Sequence, residues 1–219
     1  FLTIARGTRI ESAKSGSGDD RLVGTNRGDR LDGGAGNDTL LGRGGSDTLM
    51  GGAGDDLFHG GAGKDWLSLK GNASTRGIID LRKEVQHFGQ GTDRLISIEN
   101  LKGGQLNDKF YGSSKANRLE GNSGNDALKG RGGDDTLKGG SGIDKLVGNA
   151  GDDLLVGGRG SDRLNGGAGD DTLVGGVGAD SLDGGAGNDV ASYSTAGGAI
   201  NATGNSGNNA LHGDEADDT

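Results

Sequence analysis

Aspartate residues recur at intervals of nine through most of this sequence, in a frame that also fixes glycines and one apolar residue. Residues 139–147 read Gly-Gly-Ser-Gly-Ile-Asp-Lys-Leu-Val, and the same frame continues without a break to Ser192. The consensus is Gly-Gly-x-Gly-x-Asp-x-U-x, where U is a large apolar residue. Carboxylates at fixed spacing can bind hard cations or act as acids and bases, and so regular a lattice favours cation binding.

Each nonapeptide is predicted to contain a turn followed by a short strand. The glycines permit positive φ and close backbone approach, and Asn or Asp tolerates left-handed geometry. The last three residues form a strand whose middle side chain, U, faces one side of a sheet. One nonapeptide reverses the chain, so two complete a coil of 18 residues, and successive coils stack about 4.8 Å apart as parallel strands. The predicted fold class is all-β, a parallel β-roll of the β-helix or solenoid type. The U residues of the first block form a thin core of Leu22, Leu31, Leu40, Leu49, Phe58 and Leu67.

Stacking of coils places the turns of alternate nonapeptides on the same side, so that Asp38 lies over Asp56. Bare carboxylates at that spacing repel each other, and a divalent cation between the turns converts the repulsion into attraction. Calcium accepts about 6–8 oxygens from carboxylates and backbone carbonyls, and these turns supply both. Zinc is disfavoured because the chain has no Cys and only three His, and magnesium because it retains its waters. The predicted cofactor is Ca²⁺.

The predicted metal ligands are the aspartates of the nonapeptides and carbonyl oxygens of the glycine-rich turns. The carboxylate ligands are Asp20, Asp38, Asp47, Asp56, Asp65, Asp126, Asp135, Asp144, Asp153, Asp162, Asp171, Asp180 and Asp189. The carbonyl ligands are Gly33, Gly34, Ala35, Gly36, Gly51, Gly52, Ala53, Gly54, Gly139, Gly140, Ser141, Gly142, Gly157, Gly158, Arg159, Gly160, Gly166, Gly167, Ala168, Gly169, Gly175, Gly176, Val177 and Gly178.

Three nonapeptides near the start of a block depart from the consensus. Residues 24–32 carry Arg27 and residues 103–111 carry Leu106 where the third glycine belongs. Residues 112–120 carry Lys115 there, and Asn117 in place of the aspartate. We expect these coils to cap their rolls, with weak or absent metal sites.

Glycine dominates the composition, with 51 of 219 residues, whereas Leu, Ile, Val and Phe together number 42. Apolar burial is too small to order such a chain, and a net charge of −9 adds repulsion, so bound cations must supply free energy. The absence of Cys excludes disulfides and suits a secreted, extracellular protein. No apolar run is long enough for a membrane span. The negative charge and 3% aromatic content disfavour nucleic acid as a partner.

The nonapeptides fall into two blocks, which predict two stacks joined by a connector and the start of a third. Residues 1–14 are a lead-in strand segment, 15–68 the first β-roll, and 69–102 a connector poorer in glycine. Residues 103–192 are the second β-roll, and 193–219 a further connector with a truncated third roll. The chain starts at Phe1 without Met and stops within a repeat, so we expect it to be a piece of a longer protein.

The nonapeptide resembles the calcium-binding repeat of the RTX, or hemolysin-type, proteins, whose repeats form parallel β-rolls. The opening stretch from Leu2 to Asp20 resembles the junction between the catalytic domain and the roll in serralysin-type metallopeptidases. The resemblance implies a secreted bacterial protein, exported by the type I secretion machinery, in which calcium drives folding of the roll. The His-Glu-x-x-His zinc motif of the peptidases is absent, so this stretch is expected to be non-catalytic. The second block is a departure, because the serralysin roll is followed by a closing domain.

Other residues raise alternative kinds of chemistry. His59, His87 and His212 occur in unrelated contexts without a paired nucleophile, which indicates turn or surface positions. In acid pairs such as Asp55-Asp56, the second residue belongs to the calcium lattice, and we expect the first to brace the turn by hydrogen bonds rather than to take part in acid–base catalysis.

The second block also carries basic residues, which could form a face for an acidic polysaccharide, as in alginate epimerase modules, or a solvated surface that moderates the acidic charge. These residues are Lys129, Arg131, Lys138, Lys145, Arg159 and Arg163. The parent protein is therefore either a serralysin-like peptidase, a repetitive adhesin or surface-layer protein, or a polysaccharide-modifying enzyme of the epimerase type.

Overall fold

Every regular element in the described part of the chain is a β-strand, in agreement with the predicted all-β class. The computed structural model describes residues 12–69, 76–88 and 91–192, together with the backbone of 201–203 and 210–212. The chain divides into two units, Phe1–Gly104 and Gln105–Thr219. Among the described residues there is no helix with the length and apolar character needed to cross a membrane.

In the first unit, consecutive strands alternate between two sheets, so each coil adds one strand to each sheet. The strands are β1 (Ser12–Lys14), β2 (Arg21–Val23), β3 (Arg30–Ala35), β4 (Thr39–Gly44), β5 (Thr48–Ala53), β6 (Leu57–Ala62), β7 (Trp66–Ser68), β8 (Ile78–Asp80), β9 (Val85–Phe88), β10 (Gly91–Ile96) and β11 (Asn100–Lys102). One sheet of this unit has the order β1-β3-β5-β7-β11, and the other has the order β2-β4-β6-β10-β9. All of these neighbours are parallel except β9 and β10, which are antiparallel.

The second unit repeats the same alternation. Its strands are β12 (Lys109–Tyr111), β13 (Arg118–Ser123), β14 (Ala127–Gly132), β15 (Thr136–Ser141), β16 (Lys145–Ala150), β17 (Leu154–Arg159), β18 (Arg163–Ala168), β19 (Thr172–Val177), β20 (Ser181–Ala186), β21 (Val190–Ser192), β22 (Asn201–Thr203) and β23 (Ala210–His212). The odd-numbered strands β13 to β23 follow one another in one parallel sheet, and the even-numbered strands β12 to β22 do so in the other.

Strand partners lie 18 residues apart in the nonapeptide blocks, as the two-nonapeptide coil predicts. Leu31 is paired with Leu49 in the first unit, and Leu146 with Leu164 in the second. This register stacks each U residue on the next one, and the U side chains are buried. The buried U residues include Leu22, Leu31, Leu40, Leu49, Phe58 and Leu67 in the first unit and Phe110, Leu119, Leu128, Leu137, Leu146, Leu155, Leu164, Leu173 and Leu182 in the second. The predicted apolar core is therefore confirmed.

The last part of the predicted connector continues the roll of the first unit. Strand β10 is parallel to β6 at an offset of 37 residues, and β11 is parallel to β7 at an offset of 34. The extra residues within these longer coils include β8 and β9, and β9 covers the edge of its sheet by antiparallel pairing with β10. The buried Gln86 fixes this insertion, because its amide donates to the carbonyl oxygens of Asp80 and Lys83, both over 2.6 Å.

The two ends of the predicted organisation are described only in part. The lead-in segment 1–14 is described from Ser12. The predicted connector and truncated third roll, residues 193–219, are described only through β22 and β23, which are parallel to β20 and β21. The rest of 1–14 and of 193–219 lies outside the described residues.

Candidate metal centre

The consensus aspartates form a continuous column on each side of each unit, which we call the aspartate ladder. Within it, the backbone N–H of one aspartate donates to Oδ1 of the aspartate one coil later. Asp38 donates to Asp56 over 2.8 Å, and Asp153 donates to Asp171 over 2.8 Å. The same bond joins Asp20 to Asp38, Asp29 to Asp47, Asp47 to Asp65, Asp108 to Asp126, Asp126 to Asp144, Asp135 to Asp153, Asp144 to Asp162, Asp162 to Asp180 and Asp171 to Asp189. All the predicted carboxylate ligands therefore lie in the ladder, and all but the half-buried Asp20 are buried.

The second carboxylate oxygen is the unusual atom of the ladder. In most rungs Oδ2 is buried and has no hydrogen-bond partner among the described residues. These rungs are Asp38, Asp47, Asp65, Asp126, Asp135, Asp144, Asp153, Asp162 and Asp171. A buried acceptor left without a partner costs about 1–3 kcal/mol, and more when it is charged. The ladder therefore needs a proton or a cation at each of these oxygens.

The pKa values of the ladder show the same need. Burial, aided by neighbouring carboxylates, raises the pKa of Asp56, Asp126, Asp135 and Asp171 to about 7. Burial likewise raises the pKa of Asp47, Asp153 and Asp162 to about 6. Desolvation disfavours the charged form and carboxylates at one-coil spacing repel, so both causes act in the same direction.

The first glycine of each nonapeptide keeps open the space beside Oδ2. A Cβ added to Gly157 would lie 2.5 Å from Asp162 Oδ2 and 2.5 Å from the carbonyl oxygen of Gly175 on the next coil. The same collision, with a carboxylate and with a carbonyl one coil later, recurs at Gly42, Gly139, Gly148 and Gly166. Acceptor oxygens of two coils thus converge on one point. Calcium binds such a donor set of carboxylate and carbonyl oxygens, so the residues present fit this ion.

The second and third glycines, at positions two and four of the nonapeptide, serve the turn itself. Gly52 and Gly54 have φ of 109° and 125°, a region that side chains with a Cβ rarely adopt. A Cβ at either position would also collide with the carbonyl oxygen of the matching glycine on the preceding coil, Gly34 or Gly36. These carbonyls therefore point along the roll axis toward the next turn.

Carbonyls of the third position, which were also predicted as ligands, already accept backbone hydrogen bonds. Gly36 N–H donates to Ala53 O over 2.8 Å, and Gly160 N–H to Val177 O over 2.8 Å. The carbonyls of Ala35, Ser141, Arg159 and Ala168 accept in the same way. Each retains one lone pair.

Two of the opening turns satisfy their polar side chain locally, unlike the regular turns. Oδ2 of Asp29 accepts from the backbone N–H of Thr25 over 2.6 Å and from its hydroxyl over 2.9 Å. Ser113 N–H donates in the same way to Oδ1 of Asn117 over 2.6 Å. Thr25 and Ser113 stand where the second glycine belongs, and their hydroxyl groups, which glycine lacks, donate a second hydrogen bond to Asp29 and Asn117. These contacts favour the capping role expected of both coils.

We predict that Asp153→Asn weakens calcium binding whereas Asp29→Asn does not. Asparagine at 153 keeps an Oδ1 acceptor for Asp135 but replaces the open Oδ2 by a donor, so the calcium midpoint should rise by about tenfold or more. Asparagine at 29 can accept from Thr25 as Asn117 accepts from Ser113, so its midpoint should equal that of the wild type. Isothermal calorimetry measures both, and equal shifts in the two variants would contradict the capping role.

A second, exposed column runs beside the aspartate ladder at the residue before each aspartate, and we call it the bracing ladder. Asp55 N–H donates to Oδ1 of Asn37 over 2.8 Å, and Asp152 N–H donates to Oδ1 of Asp134 over 3.1 Å. The direction is opposite to that of the aspartate ladder, because here the later residue donates. The predicted bracing role of the first residue in each acid pair is confirmed.

Two acidic residues outside the consensus nonapeptides also extend the ladder, and the sequence analysis missed them. Asp56 N–H donates to Asp93 Oδ1 over 3.0 Å, and Asp65 N–H donates to Glu99 Oε2 over 2.9 Å. A signal was present, because each acid lies two positions before a leucine, Leu95 or Leu101, as in the consensus. Residues 88–96 read Phe-Gly-Gln-Gly-Thr-Asp-Arg-Leu-Ile and lack only the first glycine of the consensus, whereas no glycine precedes Glu99 in residues 94–98.

The remaining candidate residues do not form a further centre. Within residues 12–69, 76–88 and 91–192, no three His, Cys, Asp or Glu side chains converge to hold a metal by themselves, so a calcium site here must use backbone carbonyls. The exposed His87 contacts Thr92 Oγ1 at 3.1 Å, and the side chain of His212 lies outside the described residues.

The basic residues of the second unit are spread over both sheets. Lys129, Arg131, Lys145 and Arg163 lie on even-numbered strands, whereas Lys138 and Arg159 lie on β15 and β17. Arg131 is held in place, because its guanidinium donates to Gly112 O over 2.6 Å and lies 5.3 Å from the Tyr111 ring.

The parallel β-roll with a column of open carboxylate oxygens defines a cation-binding solenoid. The family model described as RTX calcium-binding nonapeptide repeat (4 copies) matches residues 15–49, 41–73, 102–137, 129–164, 156–191 and 201–219. The matches span most of the sequence, and the chain belongs to this family of RTX calcium-binding repeats. A search of curated proteins finds no match to the chain.

Proposed function

We propose that this chain is a non-catalytic module that binds Ca²⁺ and folds when it does so, within a secreted RTX protein. The observation that carries this proposal is the buried Oδ2 column of the aspartate ladder, which has no partner among the described residues. Calcium between successive turns would neutralise these oxygens and join neighbouring coils. Metal-binding free energy then becomes folding free energy.

Dependence on calcium suits export through a type I secretion machinery. Calcium is scarce inside cells and abundant outside them, so the chain would stay unfolded before export and fold after it. The small apolar core and the glycine content support this order, because neither favours a stable fold without the ion. The proposed site of action is therefore extracellular.

The parent protein that we propose is a serralysin-like metallopeptidase, with this chain in its C-terminal region. The support is the resemblance of residues 2–20 to the junction before the serralysin roll. The sequence upstream of Phe1 in the parent gene tests this part of the proposal. A His-Glu-x-x-His motif there supports it, whereas further repeats or adhesion domains would replace it with a surface protein.

Calcium titration of the wild-type chain by isothermal calorimetry tests the binding itself. We expect several calcium ions to bind per chain, because open rungs occur in both units. Magnesium at the same concentration should not replace calcium, since it holds its waters and suits few all-protein cages. A chain that binds neither ion would contradict the proposed function.

A further inference from the structure

The segment from Gly91 to Ile96 lies outside the family matches, which stop at residue 73 and resume at residue 102, although residues 88–96 depart from the consensus only at the first glycine. It nevertheless occupies the position of the next turn and strand of the first unit. Strand β10 stacks on β6 with Leu95 opposite Phe58, so Leu95 continues the column of U residues and is buried.

The turn contacts of this segment reproduce those of a regular nonapeptide. Arg94 N–H donates to Asp56 O over 2.8 Å, as Leu57 N–H donates to Asp38 O over 2.8 Å one coil earlier. Thr92 N–H donates to Asp55 Oδ1 over 2.7 Å and so continues the bracing ladder. A Cβ at Gly91 would collide with Gly54 O, as a Cβ at Gly54 would collide with Gly36 O. Gly91, Thr92 and Asp93 therefore stand where the third glycine, the bracing residue and the aspartate of a nonapeptide would stand.

The two carboxylate oxygens of Asp93 are arranged as in a consensus aspartate of the ladder, with one that accepts a backbone hydrogen bond and one that is buried. Only 1% of its surface is exposed. Its Oδ1 accepts from Asp56 N–H, and its Oδ2 has no hydrogen-bond partner among the described residues. The adjacent Arg94 forms its ion pair with Glu84 at the surface. The exposed His87 is close enough to attract the Asp93 carboxylate but contacts Thr92 Oγ1, and neither His87 nor Arg94 forms an ion pair with Asp93. The buried carboxylates of Asp93 and Asp56 thus lie side by side without a paired cation among the described residues.

The geometry points to Asp93 as a calcium ligand outside the residues that the family model matches, which completes a site with Asp56 and the carbonyl oxygens of Gly51–Gly54 and closes one ladder of the first unit. This inference rests on the proposed calcium-binding function and adds a site that the family matches do not include. The ion would tie the hairpin of β9 and β10 to the roll, because Asp93 lies on β10. Asp93, unlike Glu99 on the other side, has the consensus side-chain length.

The test compares calcium stoichiometry in three variants of the whole chain by isothermal calorimetry. Asp93→Asn keeps an acceptor for Asp56 N–H and loses the charge at Oδ2, and we expect it to bind one calcium ion fewer than the wild type. Asp55→Asn is the matched control in the facing turn, because it also loses one charge. Asn37 fills the equivalent bracing position naturally, so Asp55→Asn should bind the wild-type number. Asp93→Glu restores a carboxylate and should regain the lost ion.

The outcomes separate this inference from the function on which it rests. If the wild type binds no calcium, the proposed function itself fails. If the wild type binds calcium and Asp93→Asn binds the same number, only the Asp93 site is overturned. Loss of several ions in Asp93→Asn, or of one ion in Asp55→Asn, would also overturn the assignment of a single site to Asp93. Far-UV circular dichroism at saturating calcium should match the wild type in all three variants.

Discussion

Chelation of calcium with EGTA is expected to abolish most of the β-sheet circular dichroism of this chain, and calcium added back to restore it. The reason lies in the aspartate ladder, where buried Oδ2 atoms such as those of Asp47 and Asp144 have no partner among the described residues. Each costs about 1–3 kcal/mol or more when it is charged. A thin core of one apolar residue per nonapeptide cannot offset many such costs together with the ordering of 51 glycines.

Refolding should be cooperative in calcium, because each ion links neighbouring coils and each coil contacts only its neighbours. We expect the midpoint at about 10⁻⁴–10⁻³ M or somewhat below, the range of extracellular calcium modules. Magnesium chloride at equal ionic strength is the control for screening of charge. A β-sheet signal that persists unchanged in EGTA would contradict the expectation.

Lowering the pH is expected to stabilise the calcium-free chain, which is the opposite of ordinary acid denaturation. Burial raises the pKa of ladder residues such as Asp126 and Asp135 to about 7, from an ordinary value of 3.8. The folded state therefore binds more protons than the unfolded state between about pH 4 and 7. Each unit of such a shift corresponds to about 1.4 kcal/mol. The contribution is complete below the unfolded pKa and is lost as the pH rises through the folded pKa.

The measurement is far-UV circular dichroism of the chain freed of calcium, at several pH values between 4 and 8, with light scattering to exclude aggregation near the isoelectric point of about 4.8. The β-sheet signal should rise as the pH falls. In saturating calcium the trend should reverse, since protons and calcium compete for the same oxygens. A calcium-free β-sheet signal that stays absent or falls from pH 8 to pH 4 would show that proton uptake by the ladder carboxylates does not stabilise the fold.

Much of the fold could be predicted from the sequence because two independent periods agree. Leucine at the U position recurs with the same spacing as aspartate, and the spacing of nine with a chain reversal allows only a coil of two nonapeptides. The pairing of Leu31 with Leu49 and the stacking of Asp38 on Asp56 follow from that one number. The fold was predictable to this degree because each coil repeats the contacts of its neighbour.

The positions of Asp93 and Glu99 could not be predicted in this way, because the chain reaches them after insertions of different length. Offsets of 37 and 34 residues replace the usual 18, so the period does not carry across the insertion, although residues 88–96 lack only the first glycine of the consensus. The sequence pattern also does not indicate which carboxylate oxygen of each aspartate lacks a hydrogen-bond partner. It depends on the backbone N–H of the preceding coil, which takes Oδ1 and leaves Oδ2.

The 18-residue register has a consequence for how such chains can change length in evolution. Gain or loss of two nonapeptides returns every downstream strand to the same sheet and every downstream carboxylate to the same side. Gain or loss of a single nonapeptide moves every downstream strand to the other sheet and every downstream carboxylate to the other side of the roll. The inserted hairpin and any capping coil that follows would change sides as well. Length should therefore vary in even numbers of repeats between fixed inserts. The two blocks of this chain, residues 15–68 and 103–192, contain six and ten nonapeptides.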